Sequence, residues 1–116
     1  MGDQTTTLSE LRRMVQAFTD ERQWRPFHTP KNLSMAIATE AAELMEHFRW
    51  STPEEAIAVR ESPADMQAVR EELADIFCFT ISFANALDID MTDALRAKMV
   101  KNAEKYPAEK FRGRFR

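Results

Sequence analysis

The sequence predicts an all-α fold: a four-helix bundle subunit with a short connecting helix. Three observations support this prediction. Only 2 glycines and 5 prolines occur in 116 residues, alongside many alanines, leucines, methionines and glutamates, which favour helices. Helix start signals recur along the chain, and no stretch of useful length alternates apolar and polar residues as a strand does. The length corresponds to a single domain, residues 1–116.

Start and stop signals define five predicted helices. Their approximate ranges are 8–23, 30–49, 53–60, 63–87 and 92–106, with Pro107 ending the last one. The second begins at Pro30, a favoured first position because proline lacks only an N–H that has no partner there. Residues 108–116 are predicted to form a basic, loose tail outside an ordered core of about 7–107. The predicted start residues, in order, are Thr7, Thr29, Thr52, Ser62 and Thr92.

Composition excludes several classes of protein. A net charge of -3 and a pI near 5.4 give no basic surface for a nucleic acid polymer. No apolar run reaches the roughly 18 residues of a membrane span, and "MGDQTTT" has no apolar signal region. Cys78 is the only cysteine, which excludes a disulfide framework and indicates a reducing compartment. These observations predict a cytoplasmic protein without membrane partners.

The longest predicted helix contains "IFCFTISFANAL", which leaves almost no polar face. A helix that is apolar all round is expected to be buried all round. A bundle of 116 residues has difficulty surrounding one helix alone, so we expect a subunit interface and a dimer or larger homo-oligomer. The apolar residues concerned are Ile76, Phe77, Phe79, Ile81, Phe83 and Leu87.

Four carboxylates interrupt the apolar patterns of two helices. Glu40 and Glu43 lie three residues apart in the second main helix, and Glu72 and Asp75 have the same spacing in the third. Residues at this spacing share one side of a helix, so the two pairs can face each other. Buried carboxylates repel one another unless a cation is bound, and oxygen-only ligands suit Mg²⁺ or Mn²⁺.

Other interpretations of these carboxylates stay open on the residues alone. The two pairs are equally compatible with ordinary residues at the edge of the core. A di-iron carboxylate bundle is the nearest chemical rival, but it requires E-x-x-H on two helices. Here Glu43 and His47 are four residues apart and no E-x-x-H occurs, which disfavours iron.

The neighbouring segments resemble a known family. E-x-x-E and, 28 residues later, E-x-x-D are accompanied by "ERQWRPFHTPKNL", "EHFRW", "EELADIF" and "KMVKNAEKYP". In this order and spacing they resemble the MazG-like all-α nucleotide pyrophosphohydrolases, in particular the dCTP pyrophosphatase branch, from about Leu8 to Pro107. The resemblance implies hydrolysis of a nucleoside triphosphate, most simply dCTP or modified dCTP, to monophosphate and pyrophosphate by a metal-activated water. It also implies nucleotide-pool cleansing, and a homotetramer built as a dimer of dimers.

The resemblance also implies roles for individual residues. The Mg²⁺ ligands would be Glu40, Glu43, Glu72 and Asp75. The substrate-binding residues would be Trp24, Arg25, Phe27, His28, Trp50, Phe79, Lys98, Asn102 and Tyr106. Taken alone, Trp24 and Trp50 would be ordinary packing residues at helix ends.

Two departures from the branch bear on substrate specificity. Phe79 stands where the branch tends to carry tyrosine, and Val15 stands near a position where some members carry histidine.

Three alternative functions follow from the sequence. They are the same chemistry on other or many triphosphates, a helical nucleotide- or protein-binding module without turnover, and a metal-storage or redox bundle.

Overall fold

The computed structural model describes residues 1–115, and every regular element in that range is helical. The all-α prediction is therefore confirmed. Two 3₁₀ turns, Arg25–Phe27 and Ala58–Glu61, precede α3 and α5 respectively. The helices are α1 (Gly2–Thr5), α2 (Leu8–Glu21), α3 (Pro30–Glu46), α4 (Pro53–Ile57), α5 (Pro63–Leu87), α6 (Met91–Lys105) and α7 (Ala108–Phe111).

Side-chain caps begin four of these helices where the sequence predicts them. In each case the hydroxyl oxygen of the cap accepts the backbone N–H three residues on, which supplies one of the partners that the first turn lacks. The donor–acceptor distances are 3.1 to 3.4 Å. Helix α4 begins with a complete capping box, in which the Thr52 N–H also donates to Glu55 Oε1. The four caps are Thr7, Thr29, Thr52 and Ser62.

Several boundaries differ from the sequence prediction. Helix α3 ends at Glu46 and not at about residue 49, and α4 ends at Ile57, where a 3₁₀ turn continues to Glu61. The last long helix begins at Met91 and not at Thr92, because the carboxylate of Asp90 caps it by accepting the Asp93 N–H at 2.8 Å. The predicted loose tail contains a one-turn helix, α7, and the ring of Phe111 packs edge-on against Tyr106 at 5.2 Å. A further short helix, α1, precedes the predicted core.

Helices α3 and α5 form the framework of the fold and pack along each other more extensively than any other pair of elements. They run in opposite directions. Pro30, at the start of α3, lines a cleft with Asn85 near the end of α5. At the other end, His47 lines a cleft with Asp65, in the first turn of α5. This antiparallel pairing brings the middles of the two helices together.

The buried core lies between α2, α3 and α5. Leu33 of α3 and Ile81 of α5 are its most buried large side chains. A polar clamp joins α2 to the end of α5: Arg12 donates from Nε to Asn85 Oδ1 at 2.9 Å and from Nη1 to the Ile89 carbonyl. The Asn85 amide donates back to the Arg12 carbonyl at 3.2 Å. Hydrophobic burial and this clamp together fix α2 on α5.

The single chain leaves an unusually large surface exposed. Its radius of gyration is 17.2 Å, against about 13 Å for a compact domain of this length. Its accessible surface is 9453 Å², against about 6,500 Å² expected for this mass. Helix α6 contacts the rest of residues 1–115 only sparsely. The exposed apolar side chains include Phe77, Leu87, Leu95, Met99 and Val100.

The all-round burial predicted for α5 is therefore incomplete within one chain. Ile81 is buried, but Phe77 and Leu87 are exposed.

None of the helices within residues 1–115 has both the length and the apolar character that crossing a membrane requires.

Candidate metal centre and the turn between α2 and α3

Three carboxylates meet where the middles of α3 and α5 pack together. Glu40 and Glu43 project from successive turns of α3, and Glu72 projects toward them from α5. One carboxylate oxygen from each lies within 4.8 Å of those of the other two. The convergence follows from the E-x-x-E spacing on one helix and the antiparallel pairing of the two helices.

Two of these carboxylates carry an oxygen that is buried without a hydrogen-bond partner among the described residues: Glu40 Oε2 and Glu72 Oε2. Burying a polar atom without a partner is costly, and burying it beside like charges costs more. Burial, followed by the neighbouring Glu43 and Asp75, raises the pKa of Glu40 to about 7. Burial and Glu43 also raise the pKa of Glu72.

Asp75 lies outside the group of three but acts on it electrostatically. Its negative charge contributes to the raised pKa of Glu40 and of Glu72. The pKa of the Cys78 thiol, one turn further along α5, is raised by burial and then by the same charge. Asp75 therefore lies close enough to join the cluster, and its part as a ligand stays a prediction.

The donor set fits a hard divalent cation. All three side chains offer only oxygen, and the two orphaned atoms belong to opposite helices. Mg²⁺, Mn²⁺ and Ca²⁺ prefer such ligands, whereas Zn²⁺ and iron more often use sulfur or imidazole as well. A bound cation would compensate the repulsion that raises these pKa values.

The turn between α2 and α3 presents three of the predicted substrate-binding rings. Trp24 contacts the ring of Phe18 at 5.8 Å and lies 6.0 Å from the ring of His28. Phe27 is largely exposed and His28 is partly buried. Arg25 donates from Nε to Asp20 Oδ1 at 2.7 Å, and its part in substrate binding stays a prediction.

The remaining predicted residues are dispersed in the single chain. Phe79 is partly buried on α5, one turn beyond Asp75. Trp50 is 83% exposed, and the guanidinium of Arg49 lies 4.6 Å from its ring centre. Lys98 and Asn102 lie on α6, and Tyr106 is the residue that ends it. This helix has few contacts with the other elements of the described chain, and the part of these three residues in substrate binding stays a prediction.

Sequence reasoning missed the residues that hold the turn in place. Asp20 accepts from Arg25 and also from the Gln16 amide at 2.8 Å. Asn32 donates from Nδ2 to the Phe27 carbonyl at 3.0 Å. The i, i+4 spacing of Gln16 and Asp20 on α2 was a readable signal, because such pairs face each other.

An antiparallel helix pair with clustered carboxylates defines the class: an all-α protein with a candidate divalent-cation centre. The chain belongs to the MazG-like family, whose model matches residues 35–114. It is 37% identical over 107 residues to dCTP pyrophosphatase 1 of Bos taurus, and 37% identical over 102 residues to that of Homo sapiens. The predicted resemblance to the dCTP pyrophosphatase branch is thereby confirmed.

These alignments cover 92% and 88% of the chain but only 63% and 60% of the two relatives. The chain thus spans about 60% of the length of the curated relatives it matches. Among solved structures, a pyrophosphatase from Archaeoglobus fulgidus DSM 4304 superposes with a TM-score of 0.80 at 37% identity. That comparison covers 86% of this chain and 92% of the archaeal one.

Proposed function

We propose that the protein hydrolyses a nucleoside triphosphate, with dCTP or a modified dCTP as the preferred substrate, to the monophosphate and pyrophosphate in the presence of Mg²⁺. The observation that carries this proposal is the cluster of Glu40, Glu43 and Glu72, two of which have a buried oxygen without a hydrogen-bond partner in residues 1–115. Membership of the MazG-like family and similarity to two proteins named dCTP pyrophosphatase 1 support it. The proposed role is nucleotide-pool cleansing in the cytoplasm.

The proposed division of labour begins with the carboxylates. Glu40 and Glu43 from α3 and Glu72 and Asp75 from α5 would hold Mg²⁺, with Mn²⁺ as a substitute. When bound, the cation would neutralise triphosphate charge and lower the pKa of water. The chain's own carboxylates, held on two helices, would determine where that cation binds.

The base would be recognised by aromatic side chains. Trp24, His28 and Trp50 offer flat faces against which a pyrimidine can stack, and Phe79 lies one turn beyond Asp75. Stacking on an aromatic ring favours a base without selecting it strongly, whereas hydrogen bonds to the edge of the base select it. Phe79 has no hydroxyl to offer, and this absence favours a second candidate: the same chemistry on a wider set of triphosphates.

We also propose that the working form is a homo-oligomer, a dimer or a dimer of dimers. The support is the extended single chain, with a radius of gyration of 17.2 Å and an apolar face on α6 that has few partners within the chain. In such an assembly Lys98, Asn102 and Tyr106 would approach phosphates held by a neighbouring subunit.

The test is product analysis by ion-exchange chromatography. The protein would be incubated with each common dNTP and NTP and with 5-methyl-dCTP, with Mg²⁺ or with EDTA. Glu40→Gln tests the cluster, and Glu54→Gln, an exposed glutamate on α4, is the matched control. We expect dCMP and pyrophosphate from dCTP only with Mg²⁺, full activity in the control, and loss of turnover in Glu40→Gln.

Each outcome separates the candidates. A dominant product other than dCMP would retain the chemistry and reject the proposed base preference. Similar rates on many triphosphates would support the wider set. Absence of turnover in every metal tested would reject the enzyme and favour a binding module without catalysis.

A further inference from the structure

We propose that Asp20 and Asn32 are positioning residues that hold the turn of residues 24–28 in the geometry needed to bind the base. This inference rests on the proposed function, because it concerns the same site. Neither side chain needs to touch the substrate. Each holds the turn from a different helix, Asp20 from the end of α2 and Asn32 from the first turn of α3.

The anchor on the α2 side is a shared carboxylate. Asp20 Oδ1 accepts from Arg25 Nε at 2.7 Å and from Gln16 Nε2 at 2.8 Å. Asp20 Oδ2 receives a longer contact from Arg25 Nη2 at 3.4 Å. The guanidinium of Arg25 is therefore held in one orientation. Because Arg25 is the first residue of the 3₁₀ turn, this contact also anchors the start of the turn.

The anchor on the α3 side fixes the other end of the turn. Asn32 Nδ2 donates to the Phe27 carbonyl at 3.0 Å, while its backbone N–H donates to the Thr29 hydroxyl at 3.2 Å. The same residue thus joins the cap of α3 to the end of the turn. A carbonyl at this position has no helical partner, so the amide supplies one.

The backbone between the anchors has little freedom of its own. Gln23 has φ of 53°, in the left-handed region that residues other than glycine rarely adopt. The Trp24 N–H donates to the Thr19 carbonyl at 3.1 Å, which ends α2 and reverses the chain. The His28 N–H then donates to the carbonyls of Trp24 and Arg25, each at 3.1 Å. Two side-chain anchors can therefore set the orientation of the whole turn.

The rings carried by this turn are the ones a base would meet. Trp24 packs edge-on against Phe18 at 5.8 Å, and Arg22 lies 3.7 Å from the centre of the Phe18 ring. One side of Trp24 is thus supported from α2, while the side chain keeps substantial exposure. An aromatic face held by packing binds a ligand ring at a lower entropic cost than a mobile one.

The anchors are weak contributors to folding, which makes the inference testable. The side chains of Arg25 and Asp20 are 70% and 44% exposed, and exposed ion pairs contribute little to stability. Removing the Asp20 carboxylate is therefore expected to leave the fold intact while loosening the turn. If Asp20 had only a structural role, its removal would instead destabilise the fold without a specific effect on the turn.

The experiment compares Asp20→Ala and Asn32→Ala with Glu21→Ala. Glu21 is the neighbouring carboxylate, is more exposed, and pairs only at 3.6 Å with Arg22, so its loss removes the same charge without releasing the turn. We expect the two anchor variants to raise KM for dCTP by about three- to tenfold, the loss of one hydrogen bond, with kcat within about twofold. Inhibition by inorganic tripolyphosphate, which has no base, is expected to stay unchanged. Asp20→Asn, which keeps an acceptor oxygen for Arg25, is expected to have an intermediate KM.

A fluorescence measurement reports on the turn directly. The chain has 2 tryptophans, so in Trp50→Phe the fluorescence excited selectively from tryptophan comes from Trp24 alone. In that background Asp20→Ala is expected to increase acrylamide quenching of Trp24, and Glu21→Ala is expected not to.

Equal KM and equal quenching in Asp20→Ala and Glu21→Ala would overturn the positioning role while leaving the proposed function standing. A loss of kcat at constant KM would also overturn it, because the effect would then lie in the chemical step. Weakened inhibition by tripolyphosphate would show that the turn acts on phosphates and not on the base. A wild-type protein without turnover would instead reject the proposed function, and the role in base recognition with it.

Discussion

Replacing Glu40 by glutamine is expected to stabilise the cation-free protein at neutral and alkaline pH. The side chain is confined between α3 and α5 beside Glu43 and Glu72, and its Oε2 has no hydrogen-bond partner among the described residues. Glutamine has nearly the same shape, carries no charge, and brings an N–H₂ group that can donate to the neighbouring carboxylates. The substitution therefore removes repulsion without opening a cavity.

The size of the effect follows from the pKa of Glu40, which burial and the neighbouring carboxylates raise from 4.5 to about 7. The folded protein binds this proton more tightly than the unfolded chain does. The contribution of Glu40 to the free energy of unfolding therefore falls as pH rises from about 4.5 to about 7 and is constant above that range. At about 1.4 kcal/mol for each tenfold change in proton affinity, the ionised group costs at most about 3.5 kcal/mol. Residual contact of the side chain with solvent reduces this to about 1 to 2 kcal/mol.

Urea unfolding followed by circular dichroism, in EDTA and at one fixed protein concentration, measures the difference. We expect Glu40→Gln to exceed the wild type by about 1 to 2 kcal/mol at pH 8 and by under about 0.5 kcal/mol at pH 5. Mg²⁺ at one hundred times its dissociation constant would add about 2.7 kcal/mol to the wild type and little to the variant. Glu54→Gln is the control and should show neither effect. A Glu40→Gln protein less stable than the wild type at pH 8 in EDTA would refute the argument, because the carboxylate would then have a stabilising partner.

Two further predictions concern the framework that positions the cluster. Leu33→Ala, at a side chain that is 2% exposed, should lower the free energy of unfolding by about 2 to 5 kcal/mol. Met35→Ala, on the same helix but 57% exposed, should change it by under about 0.5 kcal/mol in the same urea titration. Thr52→Ala breaks the complete capping box of α4 and should cost about 0.5 to 2 kcal/mol by thermal unfolding, whereas Thr52→Ser, which keeps a hydroxyl, should cost much less. Equal losses in the two Thr52 variants would contradict the capping argument.

Local signals in the sequence predict the helices well because capping is a short-range interaction. Thr7, Thr29, Thr52 and Ser62 each bond to a backbone group only three residues away, so the pattern is visible without any tertiary information. The one displaced start illustrates the limit. Asp90 and Thr92 are both good caps, and the choice between them depends on how the chain leaves α5 at Asp88, which has φ of 52°.

The carboxylate cluster was also predictable, for a geometric reason. Residues three apart share a helix side, and a neighbouring helix with the same spacing can complete the group, as Glu72 does here. The anchors of the turn, although each spans only five residues along the chain, were not predictable in the same way. Asn32 reaches the Phe27 carbonyl only because the turn brings the chain back over the start of α3, and no periodicity in the sequence encodes that approach.

The exposed α6 connects the fold to the proposed site. The family resemblance implies that Lys98, Asn102 and Tyr106 bind substrate, yet α6 contacts the rest of residues 1–115 only sparsely. Its apolar residues, Leu95, Met99 and Val100, are exposed in a single chain. Burying such side chains contributes roughly 25 cal/mol for each Å² removed from water, so a second copy that covers α6 would gain substantial stability. The proposed oligomer would both bury the apolar side of α6 and bring its polar side to the substrate. The contact that covers the helix would also determine where its polar side meets substrate.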